Sequence, residues 1–255
     1  MSIIRAQNLN RSFSIKVKGQ KDKLSIQALD KINLVVTKPT ILTIVGANGA
    51  GKTTLIKLML GLIKPTSGKI LVFDQLPEKR NQAYLKNIGF VSGQKRILNQ
   101  DLTPFDSIYV SSLFYDISSD EIIKNFDYFC DVFSVQHRKN VPVRKLSLGE
   151  TIKFEIIASI IHKPKILFLD EPTIGLDFEA QESIIEILKT YHEQNQSTIV
   201  LTSHYIKDIK SLSKELLILE KGNSIYSGSY LNFLNSNNSN SEFIKKFKSE
   251  LNKYD

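Results

Sequence analysis

Short, almost wholly apolar runs alternate along this chain with longer stretches whose apolar residues recur every three or four positions. Residues 41–45 (Ile-Leu-Thr-Ile-Val), 88–92, 166–169 and 198–202 read as buried strands. Further strands are expected over 3–9, 28–36, 69–73, 215–219 and 224–227. Helical spacing marks 54–60, a short charged stretch at 78–86, and 150–162 with Ile152, Ile156, Ile157 and Ile160 on one side. It marks 179–193 too, with Ile184, Ile185, Leu188 and Tyr191 facing inward. Gly61, Pro65 and Gly68 break regular structure after the first helix, and Pro164 stops the third. Near-continuous apolar strands alternating with helices argue an α/β fold, with a parallel sheet covered on both faces.

Between 104 and 135 the texture changes. Ile108, Leu113, Phe114, Ile122, Ile123, Phe126, Phe129, Val132 and Phe133 keep helical spacing with no strand-like alternation, and Ser118 with Glu121 reads as a capping box. An inserted helical subdomain at about 95–150 is expected within a domain of residues 1–230. A polar linker from 235 to 241 then leads to one amphipathic helix at 242–254, with Phe243, Phe247 and Leu251 in line. That helix is expected to dock on its own domain. The lysine-rich stretch 16–23 reads as a solvated hairpin tip.

Composition narrows the class. An apolar content of 42% and a charged content of 24% are ordinary for a soluble globular protein. No run approaches the roughly 18 apolar residues of a membrane helix, and the first residues lack a signal-peptide core. The one cysteine, Cys130, cannot form an internal disulfide, lies on an apolar stripe and fits a reducing compartment. The net charge of +8 suits anionic partners, including nucleotide, a membrane face or nucleic acid.

The stretch Gly46-Ala47-Asn48-Gly49-Ala50-Gly51-Lys52-Thr53 reads G-x-x-x-x-G-K-T, between an expected strand and an expected helix. That context is what a phosphate-cradling loop requires. Its glycines allow positive φ, so successive N–H groups can face one concavity. The helix N-terminus adds about half a positive charge. Lys52 is expected to reach the β- and γ-phosphates and the Thr53 hydroxyl to ligate Mg²⁺, with Thr54 completing the nucleotide-binding set. Asp170 and Glu171 close the apolar strand at 166–169. Such acids lie at the carboxyl edge of a phosphate-loop sheet, where ligands bind. Asp170 is expected to hold Mg²⁺, and Glu171 to act as general base on the attacking water, a role worth about 10²–10⁴ in rate.

Taken in order, these motifs resemble the nucleotide-binding ATPase subunit of an ABC transporter, over about residues 3–230. Residues 46–53 match the Walker A loop, 166–171 Walker B, Gln94 the Q-loop, Gly175-Leu176-Asp177 the D-loop and His204 the H-loop. Residues 146–150 occupy the signature position, and Phe13 sits where the family places an aromatic that stacks on adenine. The resemblance implies a P-loop NTPase (RecA-like) core with an N-terminal antiparallel β subdomain and an inserted α-helical subdomain. It implies that Gln94 offers an amide oxygen to Mg²⁺ or the lytic water, and that His204 donates a hydrogen bond to the γ-phosphate.

The resemblance also implies a head-to-tail dimer with a second ABC ATPase subunit, homo- or heteromeric, with ATP sandwiched between the two. Ser147 and the backbone N–H of Gly149 would meet the γ-phosphate held by the opposite subunit. Here Leu148 and Glu150 depart from the usual L-S-G-G-Q. Leu148 restricts the backbone, and Glu150 adds negative charge near ATP unless it points away. A slower site or a heterodimer would follow. Gly93-Gln94-Lys95 and Thr173-Ile174-Gly175-Leu176-Asp177 are similar to ATPases paired with ABC-2-type exporter membrane subunits. The implied function is ATP hydrolysis that powers export through a separate integral membrane permease. The implied place is cytoplasmic, peripheral on the inner face of the cell membrane. Two other readings compete. A soluble ABC ATPase acting on ribosome or DNA is favoured by the net charge. It is opposed by the single cassette and by an insertion too short for a long coiled coil, so no nucleic acid partner is expected. A nucleotide-gated regulator with weak turnover is the other.

Overall fold

The structure, a computed structural model, describes residues 2–16, 23–93, 95–236 and 241–253. In chain order the elements are β1 (Ile4–Lys16), β2 (Lys23–Val36), β3 (Ile41–Val45), α1 (Lys52–Met59), β4 (Ser67–Val72), α2 (Gln82–Leu85), β5 (Ile88–Ser92), α3 (Pro104–Ser112) and α4 (Ser119–Val132). They continue with α5 (Leu148–Ile160), β6 (Ile166–Asp170), α6 (Phe178–Asn195), β7 (Thr198–Thr202), α7 (Ile206–Leu212), β8 (Glu215–Glu220), β9 (Asn223–Ser229), α8 (Tyr230–Asn235) and α9 (Glu242–Asn252). They form two compact units, one of residues 1–84 with 202–255, the other of residues 85–201.

In the first unit, β1 pairs antiparallel with β2 on one side and β4 on the other. The first two strands run further than their apolar patterns suggest. β1 reaches Lys16 and β2 starts at Lys23, because pairing continues through Phe13 opposite Ile26 and Ile15 opposite Leu24. Cross-strand contact sustains strand structure where neither strand alone has a clean alternation. Of the hairpin tip expected at 16–23, Lys16 and Lys23 instead pair as the end of β1 and the start of β2, and 17–22 lie outside the described residues. β3 is buried at all five positions and runs parallel to β8, whose other neighbour, β9, is antiparallel. The single charged helix expected at 78–86 is instead a 3₁₀ turn, Pro77–Lys79, and the short α2. Arg80 breaks them apart with a left-handed backbone, φ 44°.

The amphipathic stretch near the C-terminus does dock. Ile244, Phe247 and Leu251 of α9 join Val45, Ile209, Leu216, Ile218, Tyr230 and Phe233 in one buried cluster, and Phe243 is only partly covered. Ser241 caps the helix by accepting from the N–H of Ile244.

In the second unit, β5 lies parallel to β6, and β7 neighbours β6. The region expected to be helical contains α3, a 3₁₀ turn at Leu113–Tyr115, and α4. Thr103 and Ser118 cap α3 and α4 by accepting from the N–H groups of Asp106 and Glu121. Ile122, Phe126, Phe129 and Cys130 form the buried stripe of α4. Burial pushes the Cys130 thiol up to about 12, as suits a packed side chain. The whole is a mixed α/β fold with an antiparallel β subdomain and a parallel sheet.

Candidate nucleotide site and signature cleft

β3 feeds a loop whose backbone takes positive φ at Gly49 (79°) and Gly51 (107°). Gly51 is the N-cap of α1 and has no side-chain cap, and the first turn of α1 carries no acid. The helix dipole therefore meets the loop uncompensated, the condition for anion binding at a helix start. Two glycines are demanded sterically. A Cβ on Gly46 would lie 2.4 Å from the Leu219 carbonyl oxygen, and one on Gly51 would lie 2.6 Å from that of Ala28. Ala50 is buried and its carbonyl accepts from the N–H of Gly222, while Ala47, Asn48 and Gly49 form the exposed rim. Lys52 is only 5% exposed, and its Nζ donates to the carbonyls of Gly46 (2.8 Å) and Ala47 (3.3 Å). The ammonium is thus held over the loop. Thr53 is exposed and Thr54 half-buried. Positive-φ glycines, an uncapped helix start and a cation held by loop carbonyls are together chemistry suited to a triphosphate.

The first unit also carries Phe13 and His204. Phe13 is half-buried, with the Arg11 guanidinium 4.4 Å from its ring centroid. One face of this aromatic is therefore covered by a cation, which a stacking base would meet from across the ring. His204 is exposed just beyond β7, its ring 4.3 Å from that of Tyr205.

The acids lie in the second unit. β6 ends at Asp170, and Glu171 adopts a left-handed backbone, φ 52°. The N–H of Gly93 donates to the Asp170 carbonyl (2.9 Å), and a Cβ on Gly93 would lie 2.1 Å from the Glu171 carbonyl oxygen. A glycine is required there, and it brings the chain leaving β5 against the backbone of the acid pair. Gln94 itself lies outside the described residues.

Ser147 and Asp177 turn out to have parallel jobs. Ser147 caps α5, and Asp177 caps α6 by accepting from the N–H of Ala180 at 2.8 Å. The two helix starts border one cleft lined by Ser147, Leu148, Gly149, Glu150, Gly175 and Asp177. At Gly149 an added Cβ would come within 2.9 Å of Ala180 Cβ, so this glycine sets how closely α5 and α6 approach. Leu148 is the first residue of α5, where ordinary helical φ/ψ suits leucine. Its Cδ2 would lie 3.5 Å from a Cβ on Gly175.

Glu150 does not bring a bare charge to this cleft. Its Oε2 accepts from the N–H of Ser147 (2.8 Å), the N–H of Glu150 donates to Ser147 Oγ (3.2 Å), and Arg138 Nε donates to Oε1 (2.7 Å). The first two bonds are a complete capping box. Burial works against the ionised carboxyl, but the bonds from Ser147 and Arg138 outweigh it and hold Glu150 below the usual glutamate range.

Two supporting residues escaped the sequence reading. Arg138, in a 3₁₀ turn, neutralises Glu150. Glu155 is fully buried on α5 and accepts from the N–H groups of Ile97 (2.9 Å) and Leu98 (3.1 Å), on the chain that follows β5. A charged residue between Phe154 and Ile156 on an apolar helix was the available sign.

A phosphate-cradling loop on a parallel α/β core defines a P-loop NTPase-type protein. The chain belongs to the ABC transporter family, whose model matches residues 29–174, more than half of it. It is 29% identical over 201 residues to the Nod factor export ATP-binding protein I of Cupriavidus metallidurans, covering 78% of this chain and 65% of that one. It is also 29% identical over 231 residues to the methionine import ATP-binding protein MetN of Haemophilus ducreyi, covering 89% of this chain and 65% of that one. The chain thus spans just under two thirds of the length of these relatives. Because an export and an import protein are equally similar, family membership sets no direction. The fold matches that of the ATP-binding cassette MJ0796 in a dimeric, post-hydrolysis state bound to ADP and Pi. The TM-score is 0.76 at 22% identity, over 89% of this chain and 98% of that one. Among the described residues no helix is long and apolar enough to cross a membrane.

Proposed function

We propose that this chain binds and hydrolyses ATP to power transport through a separate membrane subunit, in the export direction. The observation that carries the ATP reading is the Lys52-centred cradle. Its N–H groups, its uncapped helix start and an ammonium held in place form an anion site of triphosphate character. Residues 46–54 grip the phosphates and Phe13 stacks on the base. Thr53, Asp170 and Gln94 hold Mg²⁺. Magnesium fits such a sparse set, since it takes one or two protein oxygens and completes its shell with phosphates and water. When bound, it neutralises charge on the phosphates.

Glu171 takes a proton from the attacking water, and His204 donates to the γ-phosphate. Ser147 accepts from the N–H of Glu150 and so keeps its own proton to donate. With Gly149 N–H it meets the triphosphate held by a second subunit, homo- or heteromeric, and Asp177 caps the neighbouring helix of the same cleft. Export is supported by the forms of residues 93–95 and 173–177. The chain then works at the inner face of the membrane with an integral permease.

The test is Glu171→Gln. Purified variant should bind MgATP, show dimer formation that depends on MgATP by light scattering, and turn over about 10²–10⁴-fold more slowly. Turnover at the wild-type rate sinks the assignment of the base.

A further inference from the structure

His204 is the one exposed residue in a stretch that is otherwise held down. Thr202 and Ser203 are buried at 0% and 1% exposure, and Asp208, in the first turn of α7, is at 0%. The helix start has no capping side chain at Tyr205. Instead the N–H of Tyr205 donates to Ser203 Oγ (3.0 Å), and Ser203 Oγ donates to Asp208 Oδ2 (2.8 Å). The two bonds fasten the residues on either side of His204 to one buried carboxylate. A carboxylate withdrawn from water is tolerated only where hydrogen bonds offset the desolvation, so this acid is placed to hold something.

The far side of the helix is anchored as well. Ile209 lies in the cluster that includes Ile244, Phe247 and Leu251 of α9, Lys210 Nζ donates to the Leu251 carbonyl (3.3 Å), and Ser213 Oγ donates to Thr43 Oγ1 (2.6 Å). Asp208 therefore hangs from a fixed helix, and Ser203 hangs from Asp208.

We propose that Asp208 is a positioning residue for His204, acting through the Ser203 hydroxyl. The proposal rests on the ATP reading above, in which His204 meets the γ-phosphate. A hydrogen bond to that phosphate is made only with ATP, never with ADP. Holding the imidazole in place should therefore appear as preference for the triphosphate. Releasing the loop should cost that preference, since small misplacements of a group at a reacting phosphate carry large penalties.

The experiment is a double-mutant cycle read as the ratio of affinities for a non-hydrolysable MgATP analogue and for MgADP. Ser203→Ala and Asp208→Ala should each lower the ratio by about tenfold. His204→Ala should abolish the preference, and adding either variant to it should lower the ratio no further. Asp208→Asn keeps an acceptor oxygen for Ser203 and should retain most of the ratio. Losses that add in the His204→Ala background, or Asp208→Asn behaving as Asp208→Ala does, overturn the proposal. Should Asp208→Ala fail to fold, Ser203→Ala carries the cycle alone. A wild-type chain that binds neither nucleotide refutes the parent reading at the first measurement. One that binds both but yields additive losses refutes only the role of Asp208.

Discussion

At the scale of single residues Leu148 and Glu150 depart from the L-S-G-G-Q that the resemblance implies, and side-chain geometry accounts for both. Glutamate at 150 is suited to closing a capping box and is matched by Arg138. Replacing it by Gln should preserve the cap, since Gln also fills that position, but it removes the ion pair. The Glu150 side chain is 19% exposed and the Arg138 side chain 42%, so solvent screening limits the loss to about 0.5–1 kcal/mol at neutral pH. The sign with pH follows from the carboxyl being held below its ordinary value. Its contribution is fully present above the unfolded glutamate value of about 4.3 and fades as pH falls through the lower folded value. Denaturant midpoints of wild type and Glu150→Gln should therefore differ at pH 7 and converge in acid. A constant gap would show that the pair adds nothing. The capping-box spacing of Ser147 and Glu150 is legible in the sequence, but the ion pair is not, since Arg138 is there simply one of many basic residues twelve positions away.

At the scale of elements, α5 and α9 carry the sharpest consequences. On α5, the Glu155 carboxyl is pushed up by burial, with the N–H groups of Leu98 and Ile97 and the nearby Arg96 pulling the other way. A raised acid disfavours the ionised folded form, so its cost grows as pH rises past the ordinary glutamate range. Glu155→Gln, which keeps an acceptor for both N–H groups, should match or exceed wild-type stability at pH 8. Glu155→Ala orphans the two N–H groups and should cost about 1–3 kcal/mol. Urea melts of the two variants at that pH distinguish these outcomes. On α9, Phe247 is 4% exposed against a cluster shared with β3, α7, β8 and α8. Phe247→Ala should cost about 3 kcal/mol. A melting temperature equal to wild type would mean that the helix does not dock. The docking was foreseeable from amphipathic spacing, but the buried face includes Ile244 in preference to Phe243. Which neighbour turns inward is set by the surface it meets.

At the scale of the molecule, the strands and long helices stood out because burial writes itself into composition. β3, β5 and β7 fall at 41–45, 88–92 and 198–202, where short, mostly apolar runs placed them. Errors gathered where long-range pairing or a local backbone break overrides pattern. Examples are the extension of β1 and β2 through Phe13 and Ile26, and the split at Arg80. The functional consequence at this scale is association. Ser147 and Asp177 present two capped helix starts to one cleft, and in the proposed engine a second copy's triphosphate enters there. Glu171→Gln should therefore sediment as a dimer in MgATP and as a monomer in MgADP. A species indifferent to nucleotide would contradict a shared site.

By itself the amino-acid order determined the α/β alternation, the phosphate loop with its flanking strand and helix, and the family. These depend on local spacing, on glycines with no substitute and on short-range burial. Only the folded structure decided that Glu150 is neutralised, that Glu155 braces Ile97 and Leu98 beyond β5, and that Asp208 holds Ser203 beside His204. Those are bonds between side chains and distant backbone or partner groups, and a carboxylate's partner is chosen by three-dimensional proximity, which no one-dimensional spacing encodes.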